Sequence, residues 1–249
     1  MRDQILTALK WYKMMGIDYY YSQHLQQTQE KVDIKISHDS SWADKVAIAR
    51  KLADSAKNLA ELKQTLMNFD LCELKFGAKN LVFADGNQHS KIMFIGEAPG
   101  ATENERGIPF CGISGELLDN MLASIGLFRK QNCYITNTVF WRPPDNRQPT
   151  IEEVEICKPF LEKHIALIEP SLIVLVGGVA VASMLGASYQ ISKIRSNIYK
   201  YSNQYIQDID LTAIFHPAYL IRQPYKKKDA WFDMLQLKNH LKQKNLLPR

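Results

Sequence analysis

Glu97 and His216 are the residues of this chain best placed to do chemistry. Glu97 lies in Gly96-Glu97-Ala98-Pro99-Gly100, directly after the apolar run Lys91-Ile92-Met93-Phe94-Ile95. A β-rich run broken by glycine and proline reads as a strand that delivers a carboxylate into a tight loop, where open α/β sheets place their ligands. His216 follows Leu211-Thr212-Ala213-Ile214-Phe215 and precedes Pro217, which biases its backbone away from helix. A carboxylate and an imidazole at two strand ends outline a composite active site. Each alone also fits a plainer role, as a helix-capping carboxylate or as a histidine satisfied within the core.

Bringing these ends together requires a sheet. Lys91–Gly96, Cys133–Asn137, Leu172–Val176 and Leu211–Phe215 read as strands, and Leu81–Phe83 as a short one. Between them lie helical patterns at Ser114–Ile125, from the Thr150/Glu153 capping box to about Ile168, at Val179–Leu185 and at Trp231–Leu241. Such alternation predicts a mainly parallel sheet covered on both faces. The loops after Gly96, Asn137, Gly177 and Phe215 then share one rim. Ahead of this core, Leu6 to Met15 suit a helix, residues 19–44 a polar connector, and about 41–67 one long helix. The expected division is a helical extension and connector over 1–69 and a catalytic domain over 70–249.

Composition narrows the classes. The 249 residues are 46% hydrophobic, enough for a sizeable core. No apolar run approaches the roughly 20 residues of a membrane span, so a cytoplasmic protein without membrane contact is expected. The glycine loop lacks Gly-x-Gly-x-x-Gly spacing and a Gly-Lys-Ser/Thr ending, and Pro99 removes a donor that a phosphate loop needs. Cys72, Cys111, Cys133 and Cys157 form no paired C-x-x-C and are expected as reduced thiols. Net charge is +5, a mild bias compatible with a phosphate-rich partner. It is concentrated at one end: His216–Arg249 holds eight Lys or Arg against two Asp or Glu, whereas the first seventy residues hold ten against nine.

Five ordered motifs carry a resemblance. They are Gly96-Glu97-Ala98-Pro99-Gly100, Gly107-x-Pro109-Phe110-x-Gly112, Tyr134-Ile135-Thr136-Asn137, Arg142-Pro143-Pro144-x-Asn146-Arg147 and Phe215-His216-Pro217. Together they resemble the family 4 uracil-DNA glycosylases over about residues 70–245. The resemblance implies a three-layer α/β/α sandwich around a four-stranded, mainly parallel sheet. It also implies a monofunctional glycosylase of base excision repair, acting on uracil-containing DNA as a monomer. On this pattern Glu97 and His216 are catalytic. The uracil contacts are Gly96, Ala98, Phe110 as a stacking wall, and Asn137, whose carboxamide can both donate to and accept from the pairing edge of uracil. Arg142, Arg147, Arg222, Lys226, Lys227 and Lys228 face DNA phosphates, with Tyr219, Leu220 and Ile221 as an apolar wedge.

Typical members of that family hold a four-iron–four-sulfur cluster on four cysteines. Cys72 and Cys157 match two of those positions, but Phe69 and Trp141 stand at the other two. Neither can ligate iron, so no metal or cofactor is expected, and an apolar plug of Phe69 and Trp141 is expected instead. His216-Pro217-Ala218 also departs from the usual His-Pro-Ser, which removes a hydroxyl from the rim. Two alternatives stay open: a glycosylase of the same superfamily with a broader range of deaminated bases, and a noncatalytic module that binds damaged DNA.

Overall fold

The apolar runs at Ile92–Gly96 and Leu172–Val176 are buried at every position, and Ile209–Ile214 at all but its first, as strands covered on both faces must be. They form the centre of a computed structural model that describes residues 41–247. In chain order the elements are α1 (Trp42–Ser55), α2 (Leu59–Met67), α3 (Leu74–Gly77), β1 (Asp85–Gly86), β2 (Ile92–Gly96), α4 (Ala101–Arg106), α5 (Ile113–Ala123), α6 (Arg129–Asn132) and β3 (Tyr134–Asn137). There follow α7 (Ile151–Ile168), β4 (Leu172–Val176), α8 (Gly178–Leu185), α9 (Ile191–Ile194), β5 (Tyr199–Tyr201), β6 (Ile209–Ile214), α10 (Pro217–Arg222) and α11 (Lys227–Gln243). Single 3-10 turns occupy Pro144–Asn146 and Pro224–Lys226.

The sheet order is β1-β3-β2-β4-β6-β5. The inner strands β3, β2, β4 and β6 are parallel, and β1 and β5 pair antiparallel at the edges. The sheet therefore has six strands rather than the expected four. Both additions are short, at two and three residues, and the Asp-Gly of β1 owes its place to its neighbour rather than to its own composition.

Side-chain alternation divides the core in two. On one face Met93, Ile95, Ile173, Leu175, Leu211 and Ala213 pack with Phe160, Leu161 and Ile165 of α7, and with Ala49 and Ala53 of α1. On the other, Ile92, Phe94, Ile135, Val174 and Ile214 pack with Leu118 and Leu122 of α5 and Met234 and Leu237 of α11. Helices thus cover both faces, giving three layers. The Thr150 hydroxyl caps Glu153 N and the Glu153 carboxylate returns to Thr150 N, so α7 starts where its capping box sets it.

Several boundaries differ from expectation. The helix expected across 41–67 is two helices, because Ala56 turns extended and Asn58 caps a new start by accepting from Glu61 N. Leu81–Phe83 is not a strand: Val82 N donates to Phe140 O at 2.9 Å, and pairing in the sheet begins only at Asp85. The last helix starts at Lys227, earlier than Trp231. The expected helix near Leu6–Met15 and most of the connector lie outside the described residues.

Candidate active site

Strand register brings the two chemical residues to one rim. Gly96 at the end of β2 pairs with Asn137 at the end of β3, and Val176 at the end of β4 pairs with Ile214 of β6. The next residues, Glu97, Thr138, Gly177 and Phe215-His216, therefore emerge on the same edge. Thr138 fastens the β2 exit, its N–H donating to Gly96 O at 2.9 Å and its hydroxyl to Glu97 O at 2.7 Å.

A cavity of about 390 Å³ opens there, lined among others by Glu97, Ala98, Phe110, Asn137, Arg147, His216 and Arg222. Gly96, expected to touch uracil, does not line the cavity; its smallness instead lets two wall residues close in, since a Cβ there would stand 2.5 Å from both Asn137 Oδ1 and the Phe110 ring. Asn137 is 1% exposed, and neither its Nδ2 nor its Oδ1 has a hydrogen-bond partner. Leaving one such group unsatisfied costs about 1–3 kcal/mol, so a buried carboxamide with both ends unpaired is a site built for something else to complete. The rings of Phe110 and His216 lie 5.6 Å apart, tilted by 35°.

The electrostatics separate the two titratable groups. Burial pushes the Glu97 carboxyl above its ordinary value, with the Arg222 charge acting in the opposite sense. Burial, helped by the positive charge of Arg222, holds the His216 imidazole down at about 4. At neutral pH the ring is uncharged and has one proton to place. Ala218 N donates to His216 Nδ1 at 3.1 Å, which puts that proton on Nε2. The bond uses backbone, so alanine in place of serine at 218 does not disturb it.

The residues expected at the DNA-facing surface separate. Arg222 and Lys226 line a second, larger cavity of about 840 Å³ that shares Glu97 and His216 with the first. Lys227 and Lys228 are exposed on the first turn of α11. Arg142 does not line either cavity; its Nε donates to Asn146 Oδ1 at 2.8 Å and braces the 143–146 turn. Arg147 reaches the rim but forks onto Glu153 at 2.6 and 2.8 Å, while Lys226 pairs with Asp229 at 2.9 Å. Leu220 is 1% exposed and belongs to the interior, so it cannot be the wedge; Ile221 is 43% exposed. Tyr219 is half-buried against Phe215, with ring centroids 5.2 Å apart. Sequence reasoning missed Glu103, which lines the first cavity and bonds Gly100 N, Cys111 N and Gly112 N. The only signal for it was its place three residues after Gly100, at the third position of a new helix.

This fold and site define a class: residues 83–236 match the uracil DNA glycosylase superfamily, and the chain belongs to it. Within the superfamily it falls in the type-4 branch. It is 36% identical to the type-4 uracil-DNA glycosylase of Archaeoglobus fulgidus over 185 residues, covering 73% of this chain and 92% of that protein. It is 38% identical to the type-4 enzyme of Thermotoga maritima over 152 residues, covering 61% and 77%. A shorter match, 33% over 120 residues, covers 41% of this chain and 53% of the type-5 uracil-DNA glycosylase of Pyrobaculum aerophilum.

The iron–sulfur cluster implied by that branch meets an unsuitable set of residues here. Cys72 and Cys157 are fully buried with their sulfurs 4.0 Å apart, and Phe69 and Trp141, each 2% exposed, belong to the same core. Phe69 packs edge-on against Phe160 at 4.9 Å. The Cys72 thiol and burial drive the Cys157 thiol well above its ordinary value. Among the described residues no group of three or more His, Cys, Asp or Glu is placed to hold a metal. Two thiols, a phenyl and an indole do not make a four-thiolate site.

Proposed function

We propose that this protein hydrolyses the N-glycosidic bond of deoxyuridine in DNA, releasing uracil and leaving an abasic site in an uncut strand. The observation that carries this reading is the buried, unpartnered carboxamide of Asn137. Uracil presents an N3–H donor beside the O4 acceptor, which Oδ1 and Nδ2 of one asparagine satisfy together. Cytosine presents an acceptor and an amine at those positions and satisfies neither. A base that completes the site must leave the stack, lie against Phe110 and place its edge on Asn137.

The chemistry follows from the neighbours. As the bond between N1 and the sugar breaks, its electrons move into the uracil ring and negative charge gathers on O2. The His216 Nε2–H is the donor for that oxygen, an interaction of the kind worth several kcal/mol in a water-poor site. The deoxyribose becomes cationic, and water adds to its anomeric carbon, the proton it sheds neutralising the departing uracil anion. The Glu97 carboxylate, beside the Arg222 charge, stabilises that cation and orients the water. Arg222, Lys226, Lys227 and Lys228 supply phosphate contacts on the flank, and Ile221 is the apolar side chain that can enter the vacated stack.

A labelled single-stranded oligonucleotide with one uracil, treated with alkali after incubation, tests the reading. Cleavage at the uracil with wild type, and none with the Glu97→Gln/His216→Ala double variant, is expected. Absence of product with wild type, with DNA still bound, would reduce the protein to a binding module.

A further inference from the structure

Phe110 sits at φ +50°, a left-handed conformation that a bulky aromatic residue adopts only when its surroundings impose it. Two charged side chains do so. Arg129 spreads its guanidinium over the carbonyls on the upstream side, Nη1 donating to Pro109 O and Nη2 to Phe110 O, both at 2.7 Å. Glu103 takes the amides on the downstream side, Oε1 accepting from Cys111 N at 2.9 Å and Gly112 N at 3.0 Å. Its Oε2 accepts from Gly100 N at 3.2 Å, which ties this turn to the loop bearing Glu97. Four backbone groups of the 109–112 turn, two carbonyls and two amides, are thereby satisfied by two charged side chains. Arg129 is itself anchored by Asp85 and Asp119, each at 3.0 Å. At the start of α5, a Cβ on residue 115 would fall 1.9 Å from Phe110 O, so the helix is seated directly against the turn.

We infer that Arg129 and Glu103 are positioning residues that fix the Phe110 ring as the stacking wall for the extruded base. The inference rests on the uracil-excision reading above. Arg129 makes the sharper test because it does not line the cavity, so any effect it has on the base passes through the Phe110 turn. A lysine there keeps the positive charge between Asp85 and Asp119, but one ammonium cannot reproduce a planar fork onto two carbonyls.

The experiment compares wild type, Arg129→Lys, Glu103→Gln and Lys130→Ala. It reads single-turnover excision at saturating DNA, inhibition by free uracil, and affinity for an oligonucleotide carrying a tetrahydrofuran abasic analogue, which has no base to stack. Arg129→Lys is expected to slow excision at least about tenfold, the scale of a misplaced contact in an active site, and to weaken uracil inhibition by a similar factor. Abasic-DNA affinity is expected to stay within about twofold, since the phosphate contacts are untouched. Glu103→Gln should follow the same pattern, and Lys130→Ala, at the exposed next residue of α6, should not. Wild-type excision and uracil inhibition in Arg129→Lys would overturn the inference. So would an equal loss of excision and abasic-DNA affinity, because the arginine would then serve the fold at large. An inactive wild type would instead overturn the uracil-excision reading itself.

Discussion

The His216 imidazole accepts the Ala218 backbone N–H on Nδ1 at 3.1 Å, so its proton stands on Nε2, facing the cavity. This is the geometry of a neutral hydrogen-bond donor. His216→Ala is expected to lower single-turnover excision at least about tenfold while DNA affinity changes little, because the contact strengthens only as charge develops. The pH dependence follows from the same pair. Burial raises the value of Glu97 and lowers that of His216 to about 4. Acidification therefore protonates Glu97 first, above its ordinary value, and then His216 at about 4, cutting its bond to Ala218. The rate is expected to fall on the acid side and to stay level through neutrality. In Glu97→Gln the upper of the two acid steps should vanish. Single-turnover pH–rate profiles check this, and a rate that climbs on acidification would contradict both assignments.

Asn137→Asp is expected to change base choice rather than only to slow the reaction. The carboxylate loses the amide donor for uracil O4 and gains an acceptor for the cytosine amine. Competition between uracil- and cytosine-containing oligonucleotides measures the shift. Full uracil preference in the variant would assign recognition to backbone amides.

Anaerobically purified protein is expected to contain neither stoichiometric iron nor labile sulfide, and to lack the broad visible absorbance of a cluster. Cys72→Ala/Cys157→Ala should retain excision, since its thiols serve as small apolar side chains in the core. Stoichiometric iron and sulfide, or loss of activity on removing the two thiols, would overturn the plug formed by Phe69 and Trp141.

Replacing Lys226, Lys227 and Lys228 with alanine should weaken binding to unrelated DNA sequences alike. Lys226 is engaged by Asp229, so the released counterions come mainly from the other two. The slope of log affinity against log salt should become shallower by about 2 at most, at roughly 0.7–0.9 per phosphate contact. The single-turnover rate at saturating DNA should survive. Identical salt slopes would leave the phosphate role to Arg222.

What could be read before folding was whatever local chemistry decides. β2 and β4 are continuous apolar runs ended by glycine, and α7 announces itself by Thr150 and Glu153, so these stood out. Residues that depend on distant partners did not. Asp85 and Gly86 have no strand character and become β1 only by pairing with Ile135 and Tyr134. The break before Asn58 was hidden because apolar spacing runs through it, although the Asn58/Glu61 cap was present in the sequence. Glu97, Phe110, Asn137 and His216 were legible from their motifs, and the cavity gathers all four. Leu220 and Ile221 are adjacent, and only the packing of α10 decides which of them faces water. Arg129 lies outside the motifs, and its use is visible only in the carbonyls it holds.

The pairing of Gly96 with Asn137 has a further consequence. Side chains alternate across a strand, so sliding β3 by one residue against β2 would turn Asn137 to the opposite face and offer Thr138 or Thr136 to the base instead. On the uracil-excision reading proposed above, fidelity of base choice is thus inherited from strand alignment. The bonds that lock that alignment, Thr138 to Gly96 and Thr138 to Glu97, act as proofreaders of the fold before any base arrives.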